Sequence, residues 1–126
     1  VGSISAAKYA LAARNTSLTR RSSAFSFFNA LSWADSSVVV PGRVPASIAI
    51  LGSGAVGVEF ASIFRRFGSE VTIIELLPRI VPAEDEAISA ELEKSFRKQG
   101  ITIHTGTKVT KATAGANGVE VEAQLP

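Results

Sequence analysis

Three glycines and one acid are the residues of this sequence whose types and spacing indicate a binding site. Gly52, Gly54 and Gly57 follow one apolar run, and Glu75 ends the next apolar run along the chain. Glycine allows a strand to turn sharply into a helix and lets the backbone approach a pyrophosphate. The N–H groups at the start of that helix attract phosphate, and a carboxylate at the end of the second strand accepts hydrogen bonds from a ribose. The pattern therefore predicts a dinucleotide-binding site.

The segments around the glycines predict the strand, helix and strand that such a site requires. Residues 47–51 and 71–74 are short apolar runs rich in residues that favour strands, and residues 56–67 carry an apolar stripe at helical spacing. The residues expected to face the sheet are Val56, Phe60, Ile63, Phe64 and Phe67. The alternative explanation is a parallel α/β unit in which the glycine-rich turn saves space and binds nothing.

A second helix is predicted over residues 84–99, because acids crowd its first turn and bases crowd its last turn. This order of charges complements the helix dipole and favours helix formation. Ile88, Leu92 and Phe96 form its expected buried stripe, and Gly100 ends it.

The last part of the chain predicts a strand and a hairpin. Residues 101–104 form a short apolar strand, and residues 108–112 and 119–123 alternate between apolar and polar side chains around an Asn-Gly pair. The whole pattern predicts an α/β fold, a Rossmann-like βαβαβ parallel sheet followed by a C-terminal β-hairpin. This partial dinucleotide-binding Rossmann domain would span residues 47–126.

Residues 1–46 are predicted to form a separate segment that is irregular or helical. They are rich in Ser and Arg and poor in acids, a composition typical of organelle transit peptides. Three alternatives stay open: a targeting leader, a poorly ordered leader without a role, or a helix added to the sheet. A targeting leader implies the mitochondrial matrix, and otherwise the cytoplasm is expected. The candidate amphipathic piece contains Ile4, Ala7, Tyr9 and Leu11.

Composition disfavours several classes of function. The net charge of +2 averages a basic first part and a mildly acidic remainder, so it is not a nucleic-acid signature. The 126 residues include no Cys and a single His, which excludes thiol chemistry within this chain and disfavours a zinc site. No apolar run approaches the roughly 18 residues that span a bilayer. We therefore expect no metal site, no catalytic residue, no nucleic acid and no membrane.

Residues 48–123 resemble the NAD-binding domain of the flavin-dependent pyridine nucleotide–disulfide oxidoreductases, and within that family they are most similar to the dihydrolipoamide dehydrogenases. The matching stretches surround the glycines and the acid: residues 50–60, 67–72 and 77–80, with Glu75 and Asp85. The most specific mark is Glu59, two places after the last glycine, which a generic dinucleotide-binding turn does not need. The resemblance implies that this glutamate lies near the flavin and pairs with a lysine of the flavin domain.

The resemblance also implies which residues hold the cofactor. The expected set is Gly52, Ser53, Gly54, Ala55, Val56, Gly57, Val58, Glu59, Glu75 and Val109. The glycines would line the pyrophosphate and Glu75 would hold the adenosine ribose. Val109 would pack against adenine, or serve as an ordinary core residue of the hairpin. Glu75 also favours NAD over NADP, because a carboxylate repels a 2′-phosphate.

Other parts of a complete family member have no counterpart in this sequence. It shows no flavin domain, no redox Cys pair and no dimer domain with a His–Glu pair, so we expect a fragment or a truncated gene product that is not competent alone. The complete enzyme would pass hydride between NAD and FAD, with the flavin domain as a partner and a homodimer as its assembly. The alternatives are a truncated, non-catalytic nucleotide-binding or interaction module and a flavin-binding Rossmann domain.

Overall fold

The computed structural model describes residues 2–7, 9–12, 44–115 and 118–126. Within these ranges the chain forms a four-stranded sheet, a three-stranded sheet and two helices. In chain order the elements are β1 (Gly2–Ala7), β2 (Tyr9–Ala12), β3 (Ser47–Leu51), α1 (Ala55–Arg66), β4 (Glu70–Ile74), α2 (Glu86–Lys98), β5 (Thr102–His104), β6 (Lys108–Gly115) and β7 (Gly118–Gln124). Neither helix in this part of the chain has the length and apolar character needed to cross a bilayer. The predicted βαβαβ order, from β3 to β5, and the C-terminal hairpin are confirmed.

The four-stranded sheet is parallel throughout, in the order β2-β3-β4-β5. Leu51 pairs with Ile74, and Ile74 pairs with His104, so the carboxyl ends of three strands lie side by side. Ligands of open parallel sheets bind outside those carboxyl ends. The edge formed by these three residues is therefore where a site is expected.

The parallel sheet is buried on both faces because its side chains alternate between two layers. Ile48 and Ile50 of β3 belong to one core with residues of both helices, whereas Ala49 and Leu51 belong to a second core beneath the hairpin. Val121 of β7 is 1% exposed and completes that second core. The parallel sheet thus lies between a layer of helices and an antiparallel sheet.

Helix α1 turns its smallest residues toward the sheet. Gly57 and Ala61 are buried, and Phe60 and Phe64 are half-buried against the core with ring centroids 6.3 Å apart. Three residues that the sequence predicts to face the sheet are instead exposed: Val56 (44%), Ile63 (45%) and Phe67 (64%). That part of the prediction is wrong, because the short glycine turn holds the helix backbone so close to β3 that small side chains must occupy the contact.

Helix α2 buries Ser89 where the sequence predicts Ile88. Phe96 is 5% exposed and Leu92 is half-buried, as predicted, but Ile88 is 60% exposed and that prediction is wrong. The Ser89 hydroxyl donates to the carbonyl of Ile80 at 2.6 Å, which gives this buried polar group a partner. The helix is therefore turned so that the serine, and not the neighbouring isoleucine, faces the preceding loop.

The start of the chain contains two strands where the sequence predicts an irregular or helical segment. Strand β1 pairs antiparallel with β7, and β2 pairs in parallel with β3, with Tyr9 opposite Ile48. The prediction is wrong for residues 2–7 and 9–12, because the edges of β3 and β7 carry backbone N–H and C=O groups that need partners. Most of the predicted leader, residues 13–43, lies outside the described residues, and the predicted domain boundary stays a prediction.

Candidate functional site

The chain turns sharply between the end of β3 and the start of α1. Gly52 has a φ of 95°, a left-handed conformation that glycine adopts without steric cost. Its N–H donates to the carbonyl of Ile74 at 2.8 Å, which ties the turn to the end of the neighbouring strand. Helix α1 starts at Ala55. Strand, glycine turn and helix therefore follow each other as predicted.

The Glu75 carboxylate lies against this turn and is held by three donors of the described part of the chain. Oε2 accepts from both the backbone N–H and the hydroxyl of Ser53, each at 2.7 Å, and Oε1 accepts from the N–H of Leu77 at 2.9 Å. Glu75 is 5% exposed and Ser53 is fully buried. Because charge-assisted hydrogen bonds are the strong ones, the acid is firmly fixed beside the glycines.

The backbone of Glu75 is also fixed on both sides. Its N–H donates to the carbonyl of His104 at 2.8 Å, and its carbonyl accepts from the N–H of Thr107 at 2.9 Å. The end of β5 and the start of the hairpin thus hold the acid at the carboxyl edge of the sheet. His104 contributes to the site through its main chain.

The first turn of α1 has no side-chain cap. Its N-cap residue is Gly54, and no acid stands in the first turn. Helix α2 differs, because the Asp85 carboxylate accepts from the N–H of Ala87 at 2.8 Å and Glu86 stands in the first turn. The first N–H groups of a helix lack intrahelical partners, and its N-terminus carries partial positive charge. Helix α1 is therefore the one of the two that can receive an anion.

The loop that follows β4 packs against Ser53. Val81 donates its N–H to the carbonyl of Ser53 at 2.9 Å and is 7% exposed. Its φ of 38° is unusual for a β-branched residue. Arg79 runs along the same loop and donates to the carbonyls of Pro82 and Glu84 at 3.3 and 3.4 Å. The loop is thus held by its own main-chain carbonyls and by the glycine turn.

Two features of this site were missed by sequence reasoning. The sequence predicts that Ser53 contacts the cofactor, but it does not predict the bonds from Ser53 to Glu75, which depend on side-chain rotamers and strand register. Val81 precedes Pro82, and the residue before a proline is biased toward extended conformations. No pattern in the sequence therefore predicted its left-handed conformation.

The other residues predicted on α1 lie in different environments. Ala55, Val56 and Glu59 are exposed, whereas Gly57 is buried and Val58 is half-buried against the first core. The Glu59 carboxylate makes no ion pair with any residue that the structure describes. The helix thus leaves the apolar side chains of Ala55 and Val56 and the unpaired acid of Glu59 outside the core.

Val109 lies in β6, close in the chain to the Thr107 amide that binds Glu75. It is half-buried and packs against the second core, with Ala49 and Leu51 among its members. The structure therefore gives Val109 the position of a hairpin core residue. Its contact with adenine stays a prediction.

Comparison with known families shows where this chain belongs. A family model described as pyridine nucleotide-disulphide oxidoreductase matches residues 47–124, more than half of the chain. The chain belongs to this family. The matched range contains the glycine turn, both helices and the hairpin. The resemblance drawn from the glycines, Glu59 and Glu75 is confirmed.

Bacterial dihydrolipoyl dehydrogenases are similar to this chain in sequence. The enzyme of Chlorobaculum tepidum is 46% identical over 80 residues, and that of Mycobacterium leprae is 47% identical over 79 residues. These stretches cover 64% and 63% of this chain but 17% of each relative. The chain thus spans less than a fifth of the length of the relatives that it matches.

Solved structures of oxidoreductases share the fold. The HOCl-induced flavoprotein disulfide reductase RclA from Escherichia coli matches with a TM-score of 0.62 at 37% identity, over 67% of this chain and 19% of its own. The water-forming NADH oxidase from Lactobacillus brevis, bound to NADH, has a TM-score of 0.61 over 93% of this chain and 23% of its own. At 20% identity, this second likeness shows the fold alone.

Proposed function

We propose that residues 47–126 form the NAD(H)-binding portion of a flavin-dependent disulfide oxidoreductase similar to dihydrolipoyl dehydrogenase. The observation that supports this most is the position of Glu75, whose buried carboxylate lies 2.7 Å from the N–H of Ser53 in the glycine turn. The same turn leads into a helix without a side-chain cap. An acceptor for ribose and a donor group for diphosphate are thus adjacent, as a dinucleotide requires.

The described residues fit such a cofactor at three points. The N–H groups of residues 54–57 would hold the diphosphate, because Gly54 has no Cβ to keep it away. Glu75 would accept hydrogen bonds from the adenosine ribose, and Val109 would offer an apolar surface to adenine. When bound, the nicotinamide would supply hydride chemistry that the complete enzyme exchanges with FAD.

Glu75 is the reason to propose NAD rather than NADP. The residue is 5% exposed, so little water screens its charge. A 2′-phosphate on the adenosine ribose would place further negative charge beside the acid, whereas a 2′-hydroxyl can donate to it. The site should therefore discriminate strongly against NADPH.

The outer face of α1 is the surface that we propose for the flavin domain of the complete enzyme. Val56, Glu59, Ile63 and Phe67 lie on one side of the helix, and all four are exposed. An apolar stripe with one unpaired acid suits a partner that presents apolar side chains and a cation, which agrees with the lysine implied by the family resemblance. A homodimer of the complete enzyme is proposed on the resemblance alone.

Titration of the 126-residue chain with NADH and with NADPH tests the proposal. Nicotinamide fluorescence is expected to report binding of NADH and, at the same concentrations, no binding of NADPH. Gly54→Val is the most informative variant, because valine can adopt the backbone conformation of Gly54, with φ −64° and ψ −178°. The variant should lose NADH binding while its circular dichroism spectrum stays unchanged. Retained binding would contradict the proposed role of the glycine turn.

A non-catalytic nucleotide-binding or interaction module is the second candidate. These residues contain no Cys, so under either candidate they supply no dithiol step themselves. A folded chain that binds no NADH at millimolar concentration would support an interaction module. Yellow colour retained after incubation with FAD would instead indicate a flavin-binding Rossmann domain.

Localisation depends on residues 1–46. If they form a transit peptide, we propose the mitochondrial matrix, and otherwise the cytoplasm. The composition of the segment, rich in Ser and Arg, supports the first alternative. Fusion of residues 1–46 to a fluorescent reporter tests this, and a diffuse cytosolic signal would reject the leader.

A further inference from the structure

Glu75 has fewer free acceptor positions than ribose binding requires. A carboxylate offers about four lone-pair positions. Three donors of the described residues already bind the Glu75 carboxylate. A ribose that presents both of its hydroxyls needs two positions, and Glu75 is only 5% exposed. One of the present donors must therefore give way when the cofactor binds.

The Ser53 hydroxyl is the donor that can leave with the least rearrangement. The N–H groups of Ser53 and Leu77 belong to the main chain, so they cannot leave without moving the turn or the loop. That turn is fixed because Gly52 donates to Ile74 and the Ser53 carbonyl accepts from Val81. The hydroxyl, in contrast, can move by rotation of one side-chain bond.

We propose that the Ser53 hydroxyl is a placeholder for a ribose hydroxyl, which occupies Oε2 of Glu75 in the free chain and rotates away when the cofactor binds. The two groups are chemically alike, since each is an alcohol that donates to the same carboxylate. The hydroxyl satisfies the buried acid in the free chain and competes with the ribose. The inference rests on the proposed function, because it concerns the same site.

The test compares the parent chain with Ser53→Ala in binding to NADH and to an analogue whose adenosine ribose lacks both hydroxyls. Ser53→Ala is expected to bind NADH about tenfold more tightly, because the ribose no longer displaces a hydrogen bond to a charged group. Affinity for the analogue should change little. The preference for NADH over the analogue therefore rises about tenfold, whereas a merely structural role would change both affinities together.

Ser69→Ala is the matched control. Ser69 is also fully buried, and its hydroxyl donates to the carbonyl of Pro45 at 2.7 Å, at the other end of β4 from Glu75. This variant should leave the preference unchanged. Ser53→Gly is a second variant without the hydroxyl, and thermal melts followed by circular dichroism show that each variant is folded.

An unchanged or smaller preference in both Ser53 variants would overturn the placeholder role. Binding of NADH by the parent chain in that same experiment would leave the proposed function standing. If the folded parent chain binds neither NADH nor the analogue, the proposed function and the placeholder role are both wrong. The failure of one can therefore be told from the failure of the other.

Discussion

The N–H of Val81 donates to the carbonyl of Ser53 at 2.9 Å, so a strained loop residue holds the same serine that holds Glu75. Val81 has a φ of 38° and is 7% exposed. Strained conformations of this kind cost about 1–3 kcal/mol and persist where the surroundings determine them. Here the bond to the glycine turn and the burial of the side chain hold the conformation. The loop is thus part of the support of the site.

Replacing Val81 with glycine is expected to destabilise the chain no more than replacing it with alanine. At ordinary positions glycine is less stable than alanine by about 0.5–1 kcal/mol. At a φ of 38°, alanine bears a left-handed penalty of about 1–2 kcal/mol that glycine avoids. Thermal unfolding of the two variants shows which of them is less stable. A melting temperature clearly lower for Val81→Gly than for Val81→Ala would show that the backbone at this position is unstrained.

Glu75→Gln is expected to lower the free energy of unfolding by about 1.5–3 kcal/mol, because hydrogen bonds to a charged group are lost. The amide keeps one acceptor oxygen, but its NH₂ group must face a donor of Ser53 or Leu77. Urea denaturation measures the loss. Glu122→Gln is the control, since the side chain of Glu122 is 44% exposed and pairs with Lys111 at 3.6 Å. Its expected change is below about 1 kcal/mol, and equal losses in both variants would count against the structural role of Glu75.

Arg65 joins the ends of the two helices. Its guanidinium donates to the carbonyl of Gln99 and, at 3.3 Å, to that of Ser69. Arg65→Ala should lower the free energy of unfolding by about 1 kcal/mol, because these bonds are charge-assisted but partly exposed to water. Arg66→Ala, at an exposed neighbouring position, should change it by less than about 0.5 kcal/mol. Denaturant titration of both variants measures the two losses of free energy. Equal losses would show that the bonds of Arg65 to Gln99 and Ser69 add no stability.

The glycine turn and the acid could be predicted from the sequence because they depend on near neighbours. The glycines stand directly after an apolar run, and Glu75 ends the next one. The position of the acid at the turn then follows from parallel pairing of the two strands. The bonds between Ser53 and Glu75 could not be predicted, because they depend on side-chain rotamers and on the register of β3 against β4.

Other features depended on contacts that hydrophobicity does not reveal. The apolar stripe of α1 suggested that Phe67 faces the sheet, but the closeness of the helix to β3 favours Gly57 and Ala61 there. Strands β1 and β2 depend on pairing with distant strands, so local composition predicted an irregular or helical segment instead. Contacts between residues distant in the sequence thus override the local preference for secondary structure.

The observed orientation of α1 predicts opposite outcomes at Phe67 and Ala61. Phe67 is 64% exposed, so Phe67→Ser should lower the free energy of unfolding by less than about 1 kcal/mol. Ala61 is fully buried, so Ala61→Leu should overpack the contact with the sheet and cost about 1–3 kcal/mol. Guanidinium denaturation of the two variants measures both values. A larger loss for Phe67→Ser would mean that the helix is turned the other way.

The most direct test of whether the glycine turn and Glu75 form one dinucleotide site is a titration of the isotope-labelled chain with NADH. The measured quantity is the chemical shift of each backbone amide. We predict that the largest changes fall on residues 52–57 and on Leu77, whose N–H binds the acid. The basic outer face of α2, at Lys94 and Lys98, should not respond. Changes concentrated on that face of α2, or none at all in a folded chain, would contradict the assignment.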